Sequence, residues 1–121
     1  MKRIIAGALL ILFAGISVQI MGQTAQKKKD NIKKITFTVH GDCGMCKRRI
    51  EGAAKSVNGV KTASWENEFQ MITVTYDETR TKPINIHKAI AAAGHDTEKV
   101  KADDKKYKSL PECCRYRGKK K

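Results

Sequence analysis

Much of what a catalytic protein of this size carries is missing. None of the nine glycines forms a phosphate-cradling loop, and no nucleophile–base–acid set can be assembled. Hydrolysis and group transfer are therefore poor starting points, and the expectation is a protein that is not an enzyme. Acidic residues are scarce, with 12 Asp and Glu against 25 Lys and Arg, a formal charge of +13. Beyond residue 22 there is no long apolar run. No cysteine follows the single such run at the N-terminus, which argues against a lipid-anchored lipoprotein, and no Arg-Arg pair precedes it.

That run has a definite layout. Lys2 and Arg3 precede an almost wholly apolar stretch from Ile4 to Ile20, and small and polar residues follow from Met21 to Gln26. Residues 1–22 read as a secretory signal peptide, with cleavage after Gly22 or as late as Ala25. The alternative is a membrane anchor, because Ile4 to Met21 just reaches a spanning length. Gly7, Gly15 and Ser17 dilute the run, and the small-residue exit follows directly. A cleaved, soluble, periplasmic or secreted chain is expected.

Export changes the chemistry open to the cysteines and the meaning of the charge. Cysteines in an oxidising compartment pair unless a metal or a reductant holds them open. Genomic nucleic acid is absent there, so the basic charge is not read as a nucleic-acid footprint. Loss of Lys2 and Arg3 lowers the charge to +11, and much of the rest lies in Lys27–Lys29 and Lys119–Lys121. Such runs are solvated tails, with at most weak contact to an anionic membrane surface.

Residues 23–33 are polar and aperiodic, a linker. Ile35, Phe37 and Val39 then alternate with Thr36, Thr38 and His40, the period of a half-buried strand. A helix follows, with Ile50, Ala53, Ala54 and Val57 on one face, ended by Asn58-Gly59. Val60 to Trp65 and Met71 to Tyr76 read as two strands. Pro83 opens a second helix carrying Ile86, Ala89, Ile90 and Ala93, and Gly94 closes it. His95 to Val100 reads as a short fourth strand. The order βαββαβ in residues 34–100 is that of a ferredoxin-like α+β sandwich, a four-stranded antiparallel sheet with two helices on one face. Its expected core is Ile35, Phe37, Val39, Ile50, Val57, Ile72, Val74, Ile86 and Ile90. Trp65 and Tyr76 are expected to pack the sheet, and His87 to be a solvated helix residue.

Between the first strand and the first helix stands His40-Gly41-Asp42-Cys43-Gly44-Met45-Cys46. Two cysteines spaced this way close on one soft metal ion or on each other. Thiolate is the binding form, and Cys46 falls in the first helical turn, where free N–H groups favour negative charge. Lys47, Arg48 and Arg49 add positive charge nearby. Sulfur ligands select Cu(I), Hg(II) or Zn(II) over Mg or Ca.

From Lys34 to Val100 the chain resembles the heavy-metal-associated domain family, which includes copper chaperones and the periplasmic mercury-binding protein of mercury resistance systems. The resemblance is carried by Cys43-x-x-Cys46, Gly59-Val60, Val74-Thr75-Tyr76-Asp77 and Ala89-Ile90-Ala91-Ala92-Ala93-Gly94-His95. It implies that Cys43 and Cys46 are the metal ligands of a protein that sequesters or shuttles one soft ion, Cu(I) or Hg(II) first and Zn(II) next. The implied partner is a membrane metal transporter or another thiol metal-binding domain. Two positions depart from the family pattern. Gly41 stands where a core methionine usually pins the loop, which points to a mobile loop or to Met45 in a related role. His95 follows Gly94 where an aromatic residue or lysine is common. His95 then faces the cysteines as a third ligand or a hydrogen-bond donor, or is an exposed loop histidine; His40 has the same standing.

Residues 101–121 form a basic extension that contains the adjacent Cys113 and Cys114. Asp103 can cap a short helix through Tyr107 to Leu110, stopped by Pro111. Three readings compete for the tail. A tail cysteine joins Cys43 and Cys46 on metal, or forms a disulfide with that pair, or the tail is disordered. The alternative function is thiol–disulfide exchange by Cys43 and Cys46 with Cys113 and Cys114, although the chain lacks the length of a thioredoxin-like domain.

Overall fold

The structure is a computed structural model that describes residues 31–119. The proposed signal peptide and most of the linker lie outside the described residues. Strand β1 (Ile32–Thr38) is followed by helix α1 (Gly44–Lys55), strands β2 (Val60–Glu66) and β3 (Met71–Asp77), helix α2 (Pro83–Ala92) and a short helix α3 (Asp104–Lys108). A 3₁₀ turn at Glu112–Cys114 comes last. β1 starts at Ile32, two residues inside the stretch read as linker, because Ile32 and Lys33 still pair with Asp77 and Tyr76.

The sheet is antiparallel, in the order β1-β3-β2. β3 is central, and its strict alternation buries Ile72, Val74 and Tyr76 on one face. Phe37, Ala63 and Trp65 bury toward the same cluster, where they meet Ile50 of α1 and Ile86 and Ile90 of α2. Ile35 and Val57 pack against this core half-buried instead of lying inside it.

The expected fourth strand is not formed as a strand among the described residues. One antiparallel bridge, Val39 to Thr97, stands in its place at the free edge of β1. Thr97 explains why. Its N–H donates to the Val100 carbonyl at 2.8 Å, and its hydroxyl accepts the N–H groups of Lys99 and Val100. A turn satisfied within itself has few backbone groups left for a ladder. The Glu98 carboxylate adds to this by accepting the N–H of Thr38 at 3.0 Å.

His87 is a second correction. It is 2% exposed, its Nδ1 lies 2.7 Å from the Thr97 hydroxyl, and its ring stacks on Phe37 at 3.8 Å. The Thr97 turn folds over that face of α2 and removes His87 from solvent. Burial and the Lys99 charge hold its pKa below the usual histidine range.

The C-terminal extension folds onto the domain. Leu110 is 2% exposed and Tyr116 8%, and both belong to the core cluster. Gly94, at φ +105°, ends α2 in the left-handed region, and a Cβ there would stand 2.8 Å from Leu110 Cδ2. The glycine is what lets Leu110 seat. Arg117 locks the arrangement, pairing through two nitrogens with both Asp96 oxygens at 2.8 and 3.1 Å, and reaching Asp104 and the Ala102 carbonyl, each at 2.8 Å. Its guanidinium lies 4.2 Å above the Tyr107 ring.

Candidate metal centre

The site begins where β1 ends. Cys43 has extended backbone and occupies the N-cap of α1, so Cys46 is the third residue of the helix and turns inward. Cys46 is fully buried, and Cys43 is half-buried at the rim. Their sulfurs are 3.3 Å apart.

Gly41 shapes the floor beneath them. Its position is taken from below by Trp65: a Cβ on Gly41 would lie 3.0 Å from two indole carbons and 3.1 Å from Cys46 Cβ. The indole N–H donates to the Val39 carbonyl at 2.9 Å, which anchors the ring beneath the loop. Gly41 N–H donates to Gln70 Oε1 at 3.0 Å, and Asn67 donates to the Asp42 carbonyl at 3.2 Å. The loop is thus pinned by Trp65 and the β2–β3 turn. Met45 takes no part in this, being 42% exposed.

The 3₁₀ turn of the extension brings two more sulfurs. Cys113 and Cys114 each place Sγ 3.5 Å from Cys43 Sγ and lie 3.9 Å from one another. Cys114 is fully buried, and Cys113 is exposed. The sulfurs of Cys43, Cys113 and Cys114 all lie within 4.8 Å of one another. In a tetrahedral thiolate site with metal–sulfur bonds of about 2.3 Å, the sulfurs are about 3.8 Å apart. The distances of Cys43 from the other three sulfurs, and of Cys113 from Cys114, are within about half an ångström of that value. Cys46 stands outside the group of three and adjoins it through Cys43. Every donor is sulfur, so the set suits a soft ion.

Burial alone would raise the Cys43 pKa. The Cys46 amide and the thiols of Cys46, Cys114 and Cys113 outweigh it and hold Cys43 at about 7. Burial pushes Cys114 up strongly, with Cys46 and Cys43 acting in the same direction. Cys113 is raised by its contact with Cys43. Cys43 is therefore the sulfur that ionises first among these three. Lys47, expected to lend its charge to the thiols, is instead engaged by Glu51 at 3.0 Å and the Trp65 carbonyl at 2.6 Å.

His95 is fully buried, which rules out the exposed-loop reading. Its Nδ1 lies 2.9 Å from the His40 carbonyl, an acceptor, so Nδ1 carries the proton. Nε2 is buried without a hydrogen-bond partner. The ring stacks against Tyr116 at 5.4 Å. Burial lowers its pKa in spite of the His40 carbonyl. His95 does not join the group of three sulfurs, and the exposed His40 contributes its carbonyl and a loose stack on Tyr116. The sequence reading missed Tyr116 and Arg117, which hold the extension in place. An aromatic residue between two arginines, in a tail otherwise rich in lysine, was the available signal.

The profile of the heavy-metal-associated domain matches residues 36–96. The chain belongs to this family. A zinc-transporting ATPase of Synechocystis sp. (strain ATCC 27184 / PCC 6803 / Kazusa) is 38% identical over 61 residues, half of this chain and 8% of that protein. The chain thus spans a small part of that relative. Among solved structures, the CopZ metallochaperone is 29% identical with a TM-score of 0.52, covering 54% of this chain and 98% of its own. Oxidised MerP from Ralstonia metallidurans CH34 is 28% identical with a TM-score of 0.53, covering 55% and 94%. A copper binding domain from HMA7, a P-type ATPase, is 33% identical with a TM-score of 0.52, covering 54% and 89%.

Proposed function

We propose that the protein is an exported carrier that binds one soft, thiophilic metal ion through Cys43 and Cys46 and sequesters it or passes it on. The observation that carries this reading is the pair of sulfurs 3.3 Å apart at the start of α1, one half-exposed and ionising near pH 7, the other buried. Each thiol that ligates releases its proton to water, and an incoming thiolate can attack the ion from the open side of Cys43. Cu(I) and Hg(II) accept two thiolates most readily; Zn(II) is the third candidate. Export rests on the layout of residues 1–22 and puts the mature chain in the periplasm or outside the cell. A membrane metal transporter, or another thiol metal-binding domain, is the partner that fits. The matches to a zinc-transporting ATPase and to a copper binding domain of a P-type ATPase support that choice.

The contacts among all four thiols favour one other reading, thiol–disulfide exchange, in which a disulfide substrate takes two electrons and two protons from a pair of these cysteines. Anaerobic titration of the reduced protein with Cu(I) and with Hg(II) separates the two. One ion per chain, lost in Cys43→Ser/Cys46→Ser, is expected of a carrier. Metal uptake unchanged in that double variant sinks it, and disulfide reduction well above the rate of free dithiol supports the exchange reading instead.

A further inference from the structure

Cys113 and Cys114 are held against Cys43 by contacts that do not involve sulfur. Leu110 is seated on Gly94, the Tyr116 hydroxyl lies between Gly94 and Asp96, and Arg117 grips Asp96 from the other side. Lys119 pairs with Asp42 at 2.8 Å, one residue before Cys43. Between Leu110 and Tyr116 the chain has one short path, the 3₁₀ turn from Glu112, where Cys114 N–H donates to the Pro111 carbonyl at 2.8 Å. That turn sets both sulfurs against Cys43 and completely buries the second. A tail with merely structural cysteines needs neither that convergence nor two sulfurs beside the rim thiol.

We infer that Cys113 and Cys114 complete a four-sulfur centre with Cys43 and Cys46, and that the ion it favours is a divalent, closed-shell metal of the Zn(II) or Cd(II) class that takes four thiolates. The inference rests on the soft-metal carrier reading and, by adding two sulfurs, moves Zn(II) from third candidate to first. Two ligands come from the domain and two from its own extension, so the ion is enclosed instead of being left two-coordinate. Four metal–sulfur bonds form, four S–H bonds break, and the protons pass to water. With Zn(II) the centre carries two negative charges, and Lys119, close to Cys113, is the neighbouring cation. Release then requires the extension to lift from Gly94 and Asp96, or incoming thiols to displace Cys113 first, the exposed sulfur of the four.

The test is sulfur counting by X-ray absorption at the zinc edge, on reduced protein loaded anaerobically with Zn(II), alongside affinity by competition with a chelating dye. Four sulfurs near 2.3 Å are expected in the wild type. Cys113→Ser/Cys114→Ser should leave two. Its affinity should fall by more than the ~10–100-fold that loss of an outer-shell partner brings. Cys113 is exposed, so C113S retains the fold and should leave three if burying a serine at Cys114 proves disruptive. Two sulfurs in the wild type, no Zn(II) uptake, or an unchanged count and affinity in C113S overturns the four-sulfur centre. Cys43→Ser/Cys46→Ser titrated with Cu(I) and Hg(II) reports on the carrier reading separately, since that reading stands if only the tail variants are silent.

Discussion

The hydroxyl of Tyr116 donates to the carbonyl of Gly94 at 2.8 Å and accepts the N–H of Asp96 at 2.7 Å. One oxygen thereby ties the extension to the loop after α2 and to its buried histidine. Burial raises the Tyr116 pKa strongly, so the hydroxyl keeps its proton and its donor role throughout the working range. Tyr116→Phe should cost about 1–3 kcal/mol, the desolvation penalty of the two groups left unpaired. Urea denaturation measures the loss, and hydrogen exchange of residues 110–117 should accelerate with it. Unaltered exchange there would show that the hydroxyl does not hold the extension.

Gly41 and Trp65 fit by the absence of a side chain on the former. Gly41→Ala places a methyl 3.0 Å from an indole that is fully buried and anchored by its own hydrogen bond, so the ring has little room to give. A penalty of about 1–3 kcal/mol is expected, as for other overpacked cores. Trp65 fluorescence should shift in the same variant. Wild-type stability in Gly41→Ala contradicts this packing.

Two buried histidines make the fold sensitive to mild acid. Burial lowers the pKa of both His95 and His87 relative to the unfolded chain. Between the lowered values and the unfolded value near 6.5, the unfolded state binds more protons, so stability rises with pH there. It should be complete above about 6.5 and decline as pH falls below it. His95→Gln should flatten part of that slope in chemical denaturation between pH 7 and 5. An unchanged slope would assign the acid sensitivity elsewhere.

Cys43 should react ahead of Cys113 and Cys114 at neutral pH. Its pKa of about 7 predicts half-maximal iodoacetamide alkylation there, below the ordinary thiol value near 8.5. Cys114, buried and raised, should stay unmodified until the protein unfolds. Peptide mass mapping across pH separates the sites. Parallel titration of Cys43 and Cys114 would refute the asymmetry.

Much of the frame was legible in the chain because it depends on local periodicity. Alternation in Met71 to Tyr76 and the stripe through Ile50 and Ala54 reflect burial of one face, which any partner surface demands. His95 to Val100 misled for a related reason. A short stretch that follows the second helix in a βαββα order is read as the last strand until a hydroxyl such as that of Thr97 claims its backbone groups. His87 shows no local sign of its burial, because its cover comes from that turn, ten residues on, and not from its own helix.

The sequence by itself determined the two-residue spacing of Cys43 and Cys46 and the helix that starts between them. These follow from covalent neighbours and from one turn of backbone. Only the tertiary structure decided that Trp65 fills the space under Gly41, that His95 is buried, and that Cys113 and Cys114 stand against Cys43 from 70 and 71 residues away. Contacts of that range depend on where Leu110, Tyr116 and Arg117 find partners on a surface that exists only once the sheet and helices have packed.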